Sequence, residues 1–225
     1  MKSTIEVNVK PNIAAKLFMI RAIESNTIMT SEECERMINC VLDIDVDELL
    51  DLIDSTSIGF EMQISDIPQF GSLDSVKNVP ILIMQDRKRE LNYAQLGYKL
   101  REGKKASVQA DTKYGENNGK GATMIGVVDY FDGKIRSSHI TEYFVELSDD
   151  KKDLLVRKLF LRMPIIQLLI KSAKDEAING FVFLKMLSET TKNRRATCLK
   201  MIMKNLKKLE NEKLNSRIDN IKWEK

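Results

Sequence analysis

The stretch from Leu91 to Tyr143 constrains this chain more than any other. Tyr93, Leu96, Tyr98 and Leu100 suit a helix ended by Gly103, and a Gly/Asn-rich turn follows. Lys113 to Val128 then places Ala122, Ile125 and Val128 on one face and closes on Gly126-Val127-Val128. From Val127 to Val145 the pattern is strand, Asp132-Gly133 turn, strand, because Asp-Gly supplies the positive φ angles that a tight hairpin needs. That order of elements predicts a helix-turn-helix with a hairpin wing.

Charge divides the chain where composition alone hides it. Residues 1–85 carry 6 Lys/Arg against 14 Asp/Glu, and residues 86–225 carry 30 against 19, so the formal net of +3 conceals −8 and +11. Clustered cations displace condensed counterions from nucleic acid, which makes a phosphate backbone the expected partner of the basic part. The acidic part is suited to protein contact or self-masking. The boundary falls near residue 85, dividing the chain into an acidic helical segment of unknown role (1–85), a helix-turn-helix unit with its hairpin (86–147) and a second helical module (148–225).

At 225 residues and 43% hydrophobic content the chain can bury a core and is globular. Cys34, Cys40 and Cys198 are odd in number and lack a CxxC pairing, so a disulfide framework or zinc ribbon is not expected, and the cysteines read as small buried apolar residues. No apolar run reaches the ~18 residues of a membrane span, and charges interrupt the first twenty residues, so a cytoplasmic protein without membrane contact is expected.

In the acidic part, Ile13, Leu17, Ile20 and Ile23 predict a helix over 12–25, Thr30-Ser31-Glu32-Glu33 caps a second through Val41, and a third spans Val46 to Asp54. Ser55 to Gly71 alternates apolar and polar residues at Phe60, Met62, Ile64 and Ile67, as strand or irregular cover does. Pro68, Gly71 and Pro80 make Gln69 to Pro80 the best linker. In the last third, helices are expected over Asp149–Met163, Pro164–Ala173 and Phe181–Leu187, and from a Ser188 or Thr190 cap to about Leu214, with a tail anchored by Trp223. The fold class is mainly α with small β elements.

Reading duplex DNA needs a helix that fits the major groove, short polar side chains for base edges and cations that fix register on phosphates. Lys113-Tyr-Gly-Glu-Asn117-Asn118-Gly-Lys120 has that make-up: Asn117 and Asn118 suit adenine edges, and Lys113 and Lys120 suit phosphate. A polar, glycine-rich loop without a ligand explains the same residues, and Gly119 and Gly121 would each cost a helix about 1 kcal/mol against alanine. The hairpin offers Lys134 and Arg136 to backbone or minor groove, with His139 in a structural role beside them. Thr191, Lys192, Asn193, Arg194 and Arg195 open the long basic helix with guanidinium forks among short polar groups, although a solvated charged face has the same pattern.

The run Tyr93-Ala-Gln-Leu-Gly-Tyr-Lys-Leu100, then Lys113-Tyr-Gly-Glu-Asn117, Lys120, Ala122 and Gly126-Val127-Val128, resembles winged-helix modules of restriction endonucleases and related anti-phage defence proteins. Thr190-Thr-Lys-Asn-Arg-Arg-Ala-Thr197 is similar to the start of the second helical module in that group. The resemblance spans roughly residues 86–210 and implies tandem winged helix-turn-helix-like modules that bind double-stranded DNA. It implies a recognition or regulatory component of a restriction-modification or defence system, beside a nuclease or methyltransferase partner. A homodimer is the other expected partnership, because paired half-sites about one helical turn apart multiply specificity and the long C-terminal helix offers a contact.

A small Mg-dependent restriction endonuclease and a protein-interaction subunit that does not bind DNA are the alternatives. The nearest catalytic candidates are Asp54 and Glu61, but Glu61 is followed by Met62-Gln63, with glutamine where a nuclease would place lysine. No cofactor is expected apart from Mg²⁺ in that case. Asp43, Asp45 and Asp47 fail as a calcium loop because Glu48 stands where glycine is required, and Gly115 to Lys120 is too short for a phosphate loop.

Overall fold

The computed structural model describes residues 30–55 and 63–224; the helix expected over 12–25 and the residues Phe60, Glu61 and Met62 lie outside the described residues. Among the described residues the chain is mainly helical, with a three-stranded and a two-stranded sheet.

Helix α1 (Ser31–Asp43) begins where its sequence signal lies. The Thr30 hydroxyl accepts from the Glu33 backbone N–H at 3.2 Å, and the Glu33 carboxylate accepts from the Thr30 N–H at 2.7 Å. Helix α2 (Val46–Ser55) buries Val46, Leu49, Leu50 and Ile53. Residues 69–80, expected as a linker, are instead largely helical: Ser72 caps α3 (Leu73–Met84), which carries Pro80 in its interior. An internal proline costs a helix ~3 kcal/mol or more. Burying Leu73, Val76, Val79 and Ile83 offsets this at ~1.5–3 kcal/mol per large side chain, so packing overrides the local signal.

After α3 come β1 (Glu90–Asn92), α4 (Tyr93–Leu100), α5 (Val108–Met124), and the hairpin β2 (Asp129–Phe131) and β3 (Lys134–Arg136). The sheet order is β1-β3-β2 with both pairs antiparallel, and Leu91, Ile135 and Tyr130 lie in register across it. Leu91 and Ile135 are buried, so the alternate residues Glu90, Asn92, Lys134, Arg136, Asp129 and Phe131 share the outer face. Asp132 and Gly133 both have positive φ, 48° and 76°, as the Asp-Gly signal requires of a two-residue hairpin turn.

The Gly/Asn-rich segment is the interior of α5 and not a turn. Ser107 caps this helix, its hydroxyl accepting from the Ala110 N–H at 3.1 Å, so it starts five residues before Lys113. Its glycines are packing positions. A Cβ on Gly115 would fall 1.9 Å from the Tyr93 carbonyl oxygen, and one on Gly97 of α4 would fall 1.9 Å from that of Asp111. The two helices cross backbone to backbone, which no residue with a side chain permits. Gly119 packs on Leu96 and Ile135, and Gly121 on Phe70 and Val76.

The second strand expected to run on to Val145 ends at Arg136. Residues His139–Glu146 form α6, capped by Ser138, despite their β-prone Ile, Thr, Tyr, Phe and Val. Ile140 and Phe144, one turn apart, are buried, and the Thr141 hydroxyl donates to the Val127 carbonyl at 2.8 Å.

Helices α7 (Asp149–Phe160) and α8 (Pro164–Ser172) follow, the latter starting at its proline as expected. The chain then passes through β4 (Ile178–Asn179), a 3-10 turn at Gly180–Leu184, α9 (Glu189–Leu206), a second 3-10 turn, α10 (Glu212–Asn220) and β5 (Ile221–Lys222). The helix expected over 181–187 is the first 3-10 turn, and α9 stops short of Leu214 because Glu210 takes a left-handed φ of 56°. Strand β5 pairs parallel to β4, and among the described residues no antiparallel hairpin follows α9, so the C-terminal module ends differently from the one before it. Trp223 anchors this end, meeting Phe181 edge-on at 5.6 Å.

One hydrophobic core runs from Cys34 to Ile221. Two buried cations tie its helices together. Lys158 Nζ donates to the Leu42 and Ile44 carbonyls at 2.6 Å each, where α1 ends, and Arg162 donates to the Ile125 carbonyl at 3.3 Å, where α5 ends. Burial lowers the basicity of both, Arg162 to about 10, and each gains in return the partial negative charge of a helix C-terminus.

Candidate nucleic-acid interface

Helix α5 buries Asp111, Gly115, Asn118, Gly119, Gly121 and Ala122 and turns its other face outward. Asn118 is 0% exposed and donates to the Tyr114 carbonyl at 2.9 Å, which removes it from any base-reading set. Asn117 is half-buried beside it. Lys113 and Lys120 are exposed, and both reach the carboxylate of Glu116, at 2.8 and 2.6 Å. Hydrogen bonds from Lys113 and then Lys120 hold the Glu116 carboxyl below its ordinary range, so the trio carries one net positive charge at neutral pH.

The first two turns of α5 were missed by sequence reasoning. Val108 is 74% exposed, Gln109 is exposed and Thr112 is half-exposed, and the preceding loop exposes Lys104 and Lys105. The signal was present: Ser107 stands three residues before Ala110 at the head of a periodic segment, which is a cap position. Arg101 fixes this end from inside, pairing with Asp111 at 3.2 Å and stacking over the Tyr114 ring at 4.6 Å.

Lys134 and Arg136 do lie together on the outer sheet face. Glu90 of β1 binds both, at 2.5 Å and 3.0 Å, and its carboxyl is held low first by the Lys134 hydrogen bond. The sheet cations are therefore neutralised in part from within. Tyr130 and Phe131 are 49% and 63% exposed. Tyr130 stacks on Tyr93 at 5.6 Å with the rings 6° from parallel, and the Arg136 guanidinium lies 4.9 Å from the Phe131 ring centre. Burial first, and then Tyr130, raises the pKa of Tyr93. His139 is the first residue of α6, outside the hairpin, with Nδ1 3.2 Å from Glu142.

On α9 the predicted residues separate. Arg194 is exposed, whereas Arg195 turns inward and donates to the Ile67 carbonyl, and burial lowers its pKa. Lys192 is paired with Glu189 at 2.5 Å, Thr191 accepts from the Ser188 hydroxyl at 3.0 Å, and Asn193 is half-buried. Adjacent positions on a helix point about 100° apart, so the divergence of Arg194 and Arg195 follows from geometry.

Asp54 is held by Arg217 through two hydrogen bonds, 2.7 and 2.9 Å, and by Lys174 at 2.8 Å. The Arg217 hydrogen bonds lead in holding its carboxyl at about 2. Both oxygens are engaged by cations, which is the arrangement of a structural ion pair and not of an open metal ligand. Glu61 lies outside the described residues, and among those described no group of three or more His, Cys, Asp or Glu is placed to hold a metal ion. No described helix is long and apolar enough to cross a membrane. No protein-family model, curated protein or solved structure matches the chain.

Proposed function

We propose that this chain binds double-stranded DNA in a sequence-specific manner, with α5 as the helix that enters the major groove and the β2-β3 hairpin as the wing beside it. The single observation behind this reading is the order α3, β1, α4, α5, hairpin, with the sheet ordered β1-β3-β2. That arrangement supports α5 on α4 and leaves the outer face of its first two turns exposed, as a winged helix-turn-helix requires. Gln109 suits an adenine edge, Val108 a thymine methyl group, and Lys104, Lys105, Lys113 and Lys120 the flanking phosphates. Arg194 supplies a second contact on α9. The resemblance of residues 93–128 and 190–197 to modules of restriction and defence proteins supports a role as a recognition or regulatory component there.

Salt dependence tests the reading. Anisotropy titrations of labelled duplex at rising salt should give a steep loss of affinity, and Lys120→Ala or Arg194→Ala should reduce the slope by about one for each phosphate contact removed. Selection of bound duplexes from a random pool should yield a motif that Gln109→Ala relaxes at one position. Absence of duplex binding at low salt refutes the proposal.

A further inference from the structure

The hairpin is a poor phosphate clamp and a good aromatic probe. Its two cations share one carboxylate, Glu90, and Asp129 and Asp132 stand beside and at the turn. What it leaves uncovered is ring surface: Tyr130 at 49% and Phe131 at 63% exposure. Apolar rings of this size at a turn are costly in water unless something covers them.

The support behind them is stiff. The turn is a two-residue hairpin, Tyr93 stacks on Tyr130, and Arg136 lies over Phe131, so little ordering entropy remains to be lost when a ligand arrives. Gly115 of α5 packs against the Tyr93 carbonyl and Gly119 against Ile135, so the hairpin flanks the helix that carries Lys113 and Lys120. A partner that offers phosphates to those lysines brings flat, uncharged π faces to the same place. Nucleobases combine the two features within one repeat, and a protein surface does not.

We infer that Phe131, braced by Arg136 on the same sheet face, is a wedge that stacks against a base step of the bound duplex and unstacks it from its neighbour, bending the DNA around the hairpin. This rests on the duplex-binding reading above and adds to it a deformation that reading does not require. Aromatic and other apolar side chains open base steps at a cost of a few kcal/mol, recovered from the additional surface the bent duplex contacts. Sequence preference at the wedged position then follows from how easily a step unstacks, with pyrimidine–purine steps favoured, and not from hydrogen bonds to base edges.

The test uses the full chain and a set of duplexes, each carrying 2-aminopurine at one position and end-labelled for energy transfer. Binding of the wild-type protein should raise 2-aminopurine emission at one step and shorten the end-to-end distance. Phe131→Ala should abolish both signals and weaken binding about tenfold, while leaving the salt slope unchanged because no phosphate contact is lost. Phe131→Trp should restore them. Residue 131 is exposed, so these variants should retain the wild-type circular dichroism. Wild-type binding without a 2-aminopurine or distance change, or signals that survive Phe131→Ala, overturns the wedge and leaves the duplex-binding reading standing. No wild-type binding at low salt overturns both.

Discussion

Replacing Gly97 or Gly115 by alanine should separate α4 from α5. A methyl carbon at either position would sit 1.9 Å from a backbone oxygen, against a limit of about 3 Å that Cβ contacts respect, so the helices would have to part by about an ångström. The obstructing atoms belong to helical backbone and cannot rotate away. Overpacking of this kind costs ~1–3 kcal/mol, sometimes more. Alanine returns about 1 kcal/mol of helix propensity, which partly offsets the clash. With rigid backbone on both sides the upper end of the overpacking range applies, giving a net loss of ~1–2 kcal/mol or more per site. The two sites share one crossing, so the double variant should lose less than the sum. Gly71→Ala is the control: nothing lies within 4 Å of its Cβ, and its effect should stay within about 0.5 kcal/mol of zero. Urea unfolding followed by far-UV circular dichroism at equilibrium measures all four variants against the wild type. If Gly97→Ala and Gly115→Ala unfold at the wild-type midpoint with the wild-type slope, the close crossing is wrong.

Asp54→Asn should remove an ion pair whose shift from 3.8 to about 2 corresponds to ~2 kcal/mol. Because the folded value is the lower one, that stability is present above about pH 4 and is lost as pH falls towards 2, so urea midpoints should drop further across that window in the wild type than in the variant, which keeps the other lowered carboxyls. Cys34 and Cys198 are buried with thiols pushed up to about 11, and Cys40 is only half-buried. A thiol reagent near pH 8 should therefore modify Cys40 in the native protein and reach the other two only after denaturant is added; equal rates at all three would contradict the packing.

Elements defined by capping and period were legible in the sequence. Thr30 with Glu33, Pro164 and the Asp132-Gly133 turn each act within a few residues, and each lies where the local chemistry puts it. Elements decided by distant partners were not legible. Pro80 is a helix breaker until Val76, Val79 and Ile83 are seen to be buried, and the glycines of α5 signal a turn until Tyr93 and Leu96 are seen against them. The interface divides in the same way. Lys113, Lys120 and Arg194 are exposed as their helical phase implies, but Asn118 and Arg195 turn inward, because one position of phase error on a helix exchanges surface for core. The exposure of Val108, Gln109, Tyr130 and Phe131 is set by where α5 begins, after its Ser107 cap, and by which side of the hairpin packs inward.

The ammonium of Lys158 limits how this chain can be cut. A fragment beginning at residue 86 retains the lysine but discards the Leu42 and Ile44 carbonyls that receive its protons, and it also leaves Arg217 without Asp54. Such a fragment would expose apolar surface and strand two cations in sites built to exclude water. The basic portion is thus no stand-alone reagent: anyone testing it for nucleic-acid binding in isolation would have to supply the acidic helices in trans, or exchange both cations for neutral side chains beforehand.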